Sequence, residues 1–221
     1  MARPPAAHCM GVGRMHLPDG IVPVGLALAG YAATGLLTAF ALSRIRRLPD
    51  PRAAVPRAAM LTTVFFAGSL VAIPVPPASV HLLLVGMMGV SLGWFAVPAI
   101  MVGLFLQAVL FGHGGVTTLG LNGLIFGLPA LLAFGIWHLA GRRRPDLAAL
   151  MAGGGAVALA LALFATLVLA GLPATLDAGA ERLALRALAL AHLPLILVEG
   201  VIVLALVRVL RRVAPGLAPH G

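Results

Sequence analysis

The chain reads as an all-α polytopic membrane protein, and three observations carry that reading. Of its 221 residues, 61% are hydrophobic and only 10% charged, where a soluble domain carries about 25% charge. The mean hydropathy is +1.09, and the apolar residues fall in long unbroken runs instead of the short alternating segments of a transmembrane barrel. Abundant Gly, Ala and Leu with few aromatics suit helices packed closely on one another in lipid.

A helix needs about 20 residues to cross the hydrocarbon. Apolar runs occupy 21–43, 58–75, 80–92, 94–112, 118–140, 147–172 and 183–207. Breakers part them: Pro49 to Pro56, Pro74 to Pro77, Gly93, His113 to Gly115, Arg142 to Pro145, and Leu172 to Ala180. The run at 80–92 is short and reads equally as the first half of one helix from 80 to 112. Arginine placement decides, because positive residues collect in cytoplasmic loops. Three clusters exist: Arg44, Arg46, Arg47, Arg52 and Arg57; Arg142, Arg143 and Arg144; and Arg208, Arg211 and Arg212. Seven crossings with the N-terminus outside and the C-terminus cytoplasmic put all three inside; merging 80–112 would send the last two outside. The sequence therefore predicts seven transmembrane helices. Arg3, Arg14, Arg182 and Arg186 then lie outside.

Residues 15–213 form a single membrane domain, followed by a tail at 214–221. The segment 1–14, MARPPAAHCMGVGR, has no helical periodicity and reads as an extension from a misassigned start. The loop 172–182, with Asp177 and Glu181, is a candidate lid. Several function classes drop out. The net charge of +9 comes from arginine without any lysine, and its loop clustering makes it a topology signal, not a nucleic-acid footprint. A single cysteine, Cys9, allows no intrachain disulfide. There is no Walker A motif, no His-Glu-x-x-His and no Gly-x-Ser-x-Gly, so the chain carries no ATPase or recognised hydrolase machinery of its own.

Polar groups in hydrocarbon cost several kcal/mol unless paired, so each asks for a reason. The set is His16, His81, Gln107, His113, Asn122, His192 and Glu199. Under the seven-span reading most of it lies in the outer leaflet, which suits a site loaded from outside. Taken singly, each residue has an ordinary explanation. A histidine near a helix end is commonly interfacial, Gln107 and Asn122 suit helix–helix hydrogen bonds, and Glu199 suits pairing with an arginine or histidine. His138 beside Trp137 reads as an interface residue, and His8 and His220 lie in tails. It is the clustering that points to imidazole chemistry.

Four stretches then carry a resemblance: MHLPDG from Met15, PPASVHLLLVGMMGVSLG around His81, LQAVLFGHGGVTTLGLN from Leu106, and AHLPLILVEG from Ala191. In this order they resemble the CbiM/NikM family, the substrate-specific components of energy-coupling factor transporters for cobalt and nickel. The resemblance implies that the mature chain begins at Met15. It implies that the Met15 amine, the His16 amide and imidazole, and the His81 imidazole surround one Co²⁺ or Ni²⁺ ion in a plane. Gln107, His113 and Asn122 would line that site. Four planar nitrogens suit Ni²⁺, Cu²⁺ and low-spin Co²⁺, not tetrahedral Zn²⁺ or oxygen-seeking Mg²⁺ and Ca²⁺. Cobalt and nickel stay unresolved from each other. The resemblance also implies partners: a transmembrane coupling protein, cytoplasmic ATPase subunits and a small accessory membrane subunit, all in the lipid of a bacterial cytoplasmic membrane. The resemblance implies further that the capturing subunit topples in the membrane to carry its site inward. Small-residue rows on the first helix, Gly25, Ala29, Ala33 and Gly30, Thr34, suit either a partner helix or packing within the chain. A vitamin-binding subunit, an intramembrane enzyme and a passive channel are the competing readings.

Overall fold

A computed structural model describes residues 15–75, 78–171, 178–214 and 216. The segment 1–14 and most of the expected lid at 172–182 lie outside the described residues. The fold is helical. Its elements are α1 (Val24–Ile45), α2 (Val55–Gly68), a two-stranded antiparallel hairpin of β1 (Ala72–Val75) and β2 (Ala78–His81), α3 (Val85–Leu92), α4 (Ala96–Phe111), α5 (Leu119–Ala140), α6 (Pro145–Gly171) and α7 (Ala178–Val213). The hairpin register pairs Ala72 with His81 and Val75 with Ala78.

Local chemistry sets these boundaries. Pro23 precedes α1 with an extended backbone and offers its carbonyl to Leu26 and Ala27. Asp50 accepts the N–H groups of Arg52 and Ala53, turning the chain into α2, where Pro56 occupies the first turn. Gly112 ends α4 in the left-handed conformation. At Pro145 the fixed φ opens α6, with Asp146 in the first turn, where the helix dipole favours an anion.

By length and composition, five helical stretches can cross a membrane: Val24–Ile45, Val85–Phe111, Leu119–Ala140, Pro145–Gly171 and Leu185–Val213. With α2 as a sixth, shorter helix, the chain is a multi-pass helical membrane protein. The expectation of seven full-length spanning helices is corrected here. The expected span at 80–92 consists of a strand end, three non-helical residues and α3, whose 8 residues rise only about 12 Å.

Val85–Phe111 is not one straight helix either. The rings of His81 and His113 both lie beside His16, with centroids 5.2 and 6.3 Å from it. A straight helix of that length would part them by about 40 Å. The chain reverses at Gly93, whose φ of 55° and ψ of −124° break the helix. There a Cβ would press on the Phe134 ring at 3.2 Å. From this turn α4 runs back to the histidine end.

The opposite end of the bundle is marked by Trp94, which packs edge-on against Phe40 and Phe134 and carries the Arg44 guanidinium 5.3 Å above its ring. Arg142–Arg144 follow the end of α5 there, and Arg208 reaches Asp146 at 2.5 Å. His138, exposed beside this cluster, sits tilted against Phe134 with ring centroids 5.8 Å apart. The core lies among α3, α5, α6 and α7. Its closest approach is backbone on backbone: a Cβ on Gly86 would sit 2.6 Å from the Gly153 Cα, and one on Gly153 would sit 2.5 Å from the Glu199 carbonyl. Small residues permit this contact, which is how helices attract in lipid, where burial of apolar area offers little. Of the two small-residue rows on α1, Gly30 and Thr34 are buried against α5, with the Thr34 hydroxyl donating to the Gly120 carbonyl at 2.5 Å. Gly25 and Ala29 stay exposed.

Candidate metal centre

Two glycines of the GHGG stretch let the site form. Gly112 and Gly114 have φ of 61° and 77°, which residues with a Cβ rarely adopt. The loop after α4 can thus curl over the segment that begins at Met15. A Cβ on Gly114 would meet the Asn122 amide and the His16 ring, and one on Gly115 would overlap the Asp19 carboxylate.

That segment is tied down through its main chain. The Leu17 N–H donates to Asn122 Oδ1 at 2.9 Å. The Leu17 carbonyl accepts from Asn122 Nδ2 at 3.0 Å and from the Thr118 hydroxyl at 2.5 Å. Two residues on, Asp19 accepts the Thr117 N–H at 2.8 Å, the Thr117 hydroxyl, and the Val116 N–H at 3.3 Å. The Thr117 hydroxyl bond, aided by these backbone donors and opposed by partial desolvation, holds the Asp19 carboxyl below its ordinary value. At about 1 kcal/mol net apiece, these bonds fix a stretch with no regular structure of its own. Met15, His16 and Leu17 are all buried as a result.

His16 lies at the centre. Its ring packs on Phe126, centroids 4.8 Å apart, with His81 tilted beside it and His113 stacked beyond. His16 and His81 are 4% and 7% exposed, so neither faces lipid. His113 is half-buried. His16 Nε2 is 3.2 Å from Gln107 Oε1, and the neighbours settle the direction of that bond. The Ser69 hydroxyl donates to the Phe66 carbonyl at 2.8 Å, so it accepts from Gln107 Nε2 at 2.6 Å. Gln107 then turns its carbonyl to His16, and the Nε2–H of His16 donates to it.

Among the described residues no three His, Cys, Asp or Glu side chains converge closely enough to hold a metal on side chains alone. The remaining sequence candidates fall elsewhere. The Nδ1–H of His192, buried on α7, donates to Leu188 O one turn back at 2.8 Å. Glu199 pairs with neither an arginine nor a histidine in any bond the described residues show. Its Oε1 accepts the N–H groups of Leu83 and Leu84 at 2.6 and 2.8 Å.

Sequence reasoning missed Ser69, Thr118, Asp19 and Phe126. Asp19 and Thr118 had a signal, standing inside two of the quoted stretches. Ser69 and Phe126 had none, since nothing local marks a residue that meets its partner across the bundle.

The family model described as the cobalt uptake substrate-specific transmembrane region, CbiM, matches residues 16–217. A metal transport protein of Haemophilus influenzae is 32% identical over 207 residues, covering 91% of this chain and 95% of that relative. The cobalt transport protein CbiM of Sorangium cellulosum is 33% identical over 138 residues, 60% of this chain and 61% of the relative. The crystal structure of a truncated transition metal transporter superposes with a TM-score of 0.77 at 23% identity, covering 89% of this chain and 98% of that one; at that identity the likeness speaks for the fold. The histidine-bearing end and the helical membrane fold thus belong to one assignment: this chain is a member of the CbiM/NikM family, the multi-pass membrane components of cobalt and nickel transporters.

Proposed function

We propose that the chain is the ion-capturing subunit of an energy-coupling factor importer for Co²⁺ or Ni²⁺ in a bacterial cytoplasmic membrane. The ligands in this reading are the Met15 amine, the His16 amide and Nδ1, and the His81 imidazole. The observation that carries it is the meeting of His16 and His81, 5.2 Å apart and buried, around a main-chain segment held in place by Asn122 and Thr118. The protonated Nε2 of His16 supports it further. Amine, amide and Nδ1 of one dipeptide unit close fused chelate rings, and Gln107 directs the ring to that use. An ionised amide demands a strongly Lewis-acidic, plane-preferring ion, which favours cobalt and nickel over zinc.

The amine requires a mature chain that begins at Met15. Intact-mass measurement of the purified protein tests this requirement, and a mass including Arg14 removes the amine from the ligand set. Orientation follows the charges. Arg44, Arg142–Arg144 and Arg208 gather at the end opposite the histidines, which favours that end as cytoplasmic. The strand β2, Leu82–Leu84 and α3 then serve together as a broken crossing, so the histidine end faces outward and the C-terminus inward. The exposed Gly25 and Ala29 on α1 offer a coupling protein a close helix approach. Energy would come from cytoplasmic ATPases, with a small accessory membrane subunit completing the assembly.

Metal analysis tests the core of the reading. The chain starting at Met15 should hold about one Co²⁺ or Ni²⁺ ion, as a single four-nitrogen plane implies. His16→Ala and His81→Ala should each hold almost none. Metal retained by both variants would remove the proposed ligands.

A further inference from the structure

Glu199 is a buried acid to which metal capture assigns no task. It is 0% exposed, and its carboxylate lies at the N-terminus of α3, an element 115 positions away in sequence. Oε1 takes two N–H groups in succession, those of Leu83 and Leu84. Oε2 has no hydrogen-bond partner among the described residues.

The backbone it grips is unusual. Leu84 is the one non-glycine residue described with positive φ, at 54° with ψ of 11°. A left-handed turn is disfavoured for a residue with a Cβ and persists where surrounding structure imposes it. Leu84 is the N-cap of α3 and makes no side-chain hydrogen bond there, so the turn that leads into the helix is held from α7. The grip is mounted rigidly. Gly153 of α6 lies against the Glu199 carbonyl and against Gly86 in the first turn of α3, at separations that admit no side chain. The Glu199 backbone and the first turn of α3 are therefore both packed directly against Gly153.

His81 stands immediately before this turn, at the end of β2. Its ring sits where the chain must leave the hairpin, run through Leu82 and Leu83, and enter α3. We infer that Glu199 is a positioning residue for His81: by holding the Leu83–Leu84 turn it sets the depth at which that imidazole meets His16. The inference rests on the reading of His81 as a metal ligand. What the turn needs is an acceptor oxygen at the right reach, not a negative charge. Groups that orient ligands in this way commonly govern affinity by about 10- to 100-fold.

Two substitutions separate reach from charge. Glu199→Gln keeps an acceptor oxygen at the same length and loses the charge. Glu199→Asp keeps the charge and withdraws the oxygen by about 1.5 Å. The purified mature chain in detergent is titrated with Ni²⁺ as parent, E199Q, E199D and His81→Ala. The expected result is E199Q close to the parent, E199D weaker by about tenfold or more, and H81A weakest. Parent-like E199D, or E199Q weakened as far as E199D, overturns the positioning role while a weak H81A leaves the ligand reading standing. Parent-like H81A overturns the ligand reading and this role with it. Amide exchange at Leu83 and Leu84 in E199Q decides the matter if E199D does not fold. Retained protection with retained affinity supports the grip, and lost protection with unchanged affinity overturns it.

Discussion

Gln107 shows how one uncharged side chain can determine what a neighbouring ring offers. Its amide is read twice, by Ser69 on the nitrogen and by His16 on the oxygen. Substituting Gln107→Leu keeps the bulk and abolishes both bonds. The His16 ring would then lose its fixed tautomer, and Ni²⁺ affinity should fall by about 10- to 100-fold in a competition titration. Unchanged affinity would show that the tautomer is set elsewhere. Asp19 yields a pH test. Its carboxyl is held below the ordinary value by Thr117 first. The ionised form is therefore favoured by the folded loop, and its contribution is full above the unfolded carboxylate value and fades as pH falls through the lowered one. The group is largely exposed, so solvent screens the effect to well under about 1 kcal/mol. Protection of the Val116 and Thr117 amides should hold steady from neutral pH down to the ordinary carboxylate range and decline only below it. A decline already near pH 6 would assign the loop's order to a different group. At this scale the sequence was partly legible. His16, His81, His113, Gln107 and Asn122 do come together, and the quoted stretches contain them. Glu199 was noticed for its charge, yet its partner is backbone on another element, which no residue-level pattern announces.

The elements divide according to how much of their form comes from hydropathy. α1, α5 and α6 are long apolar runs bounded by Pro, Gly and Arg, and their extents in sequence and structure agree within a few residues, while α7, at Ala178–Val213, extends past both ends of its apolar run at 183–207. The third run failed because hydropathy is blind to backbone conformation. Residues 82–92 are as apolar as any helix here, yet the run opens with a left-handed turn and closes at a reversing glycine. Prolines at 74, 76 and 77 marked a break, though not that a hairpin would follow. Packing at the α3–α6–α7 junction is the most demanding feature of the bundle, since Gly153 has backbone from two neighbours against it. Gly153→Val forces those helices apart, and overpacking of this kind costs about 1–3 kcal/mol or more. The thermal unfolding midpoint in detergent should drop well below the parent's. Gly25→Val, on an exposed face with nothing within 4 Å of its Cβ, should leave it nearly unchanged. Equal midpoints for both variants would contradict the described junction.

The whole molecule is polar: His16, His81 and His113 lie at one end, and the clusters of Arg44, Arg142–Arg144 and Arg208 at the other. Length and composition suffice to identify a multi-pass membrane protein, but they count crossings only when every crossing is a full helix. In the proposed orientation β2 and α3 together do the work of one crossing, which reconciles the count from helices with the count from charges, and the placing of both His81 and His113 beside His16 is the reason to read it so. The orientation can be read directly. In a Cys9→Ser background, Gly20→Cys should react with an impermeant thiol reagent added outside intact cells, and Arg47→Cys should react only after the membrane is opened. The reverse pattern would invert the proposed direction of import.

One detail, the lacing of Leu17 through both its N–H and its carbonyl, bears on how cargo leaves. On the proposed reading, an ion held by Met15 and His16 would not rest on a shelf from which it can diffuse, because the strap beside it is sewn to the wall at Asn122 and Thr118. Its departure would then be timed by unpicking those stitches, and the loaded protein left to itself would be a sealed parcel.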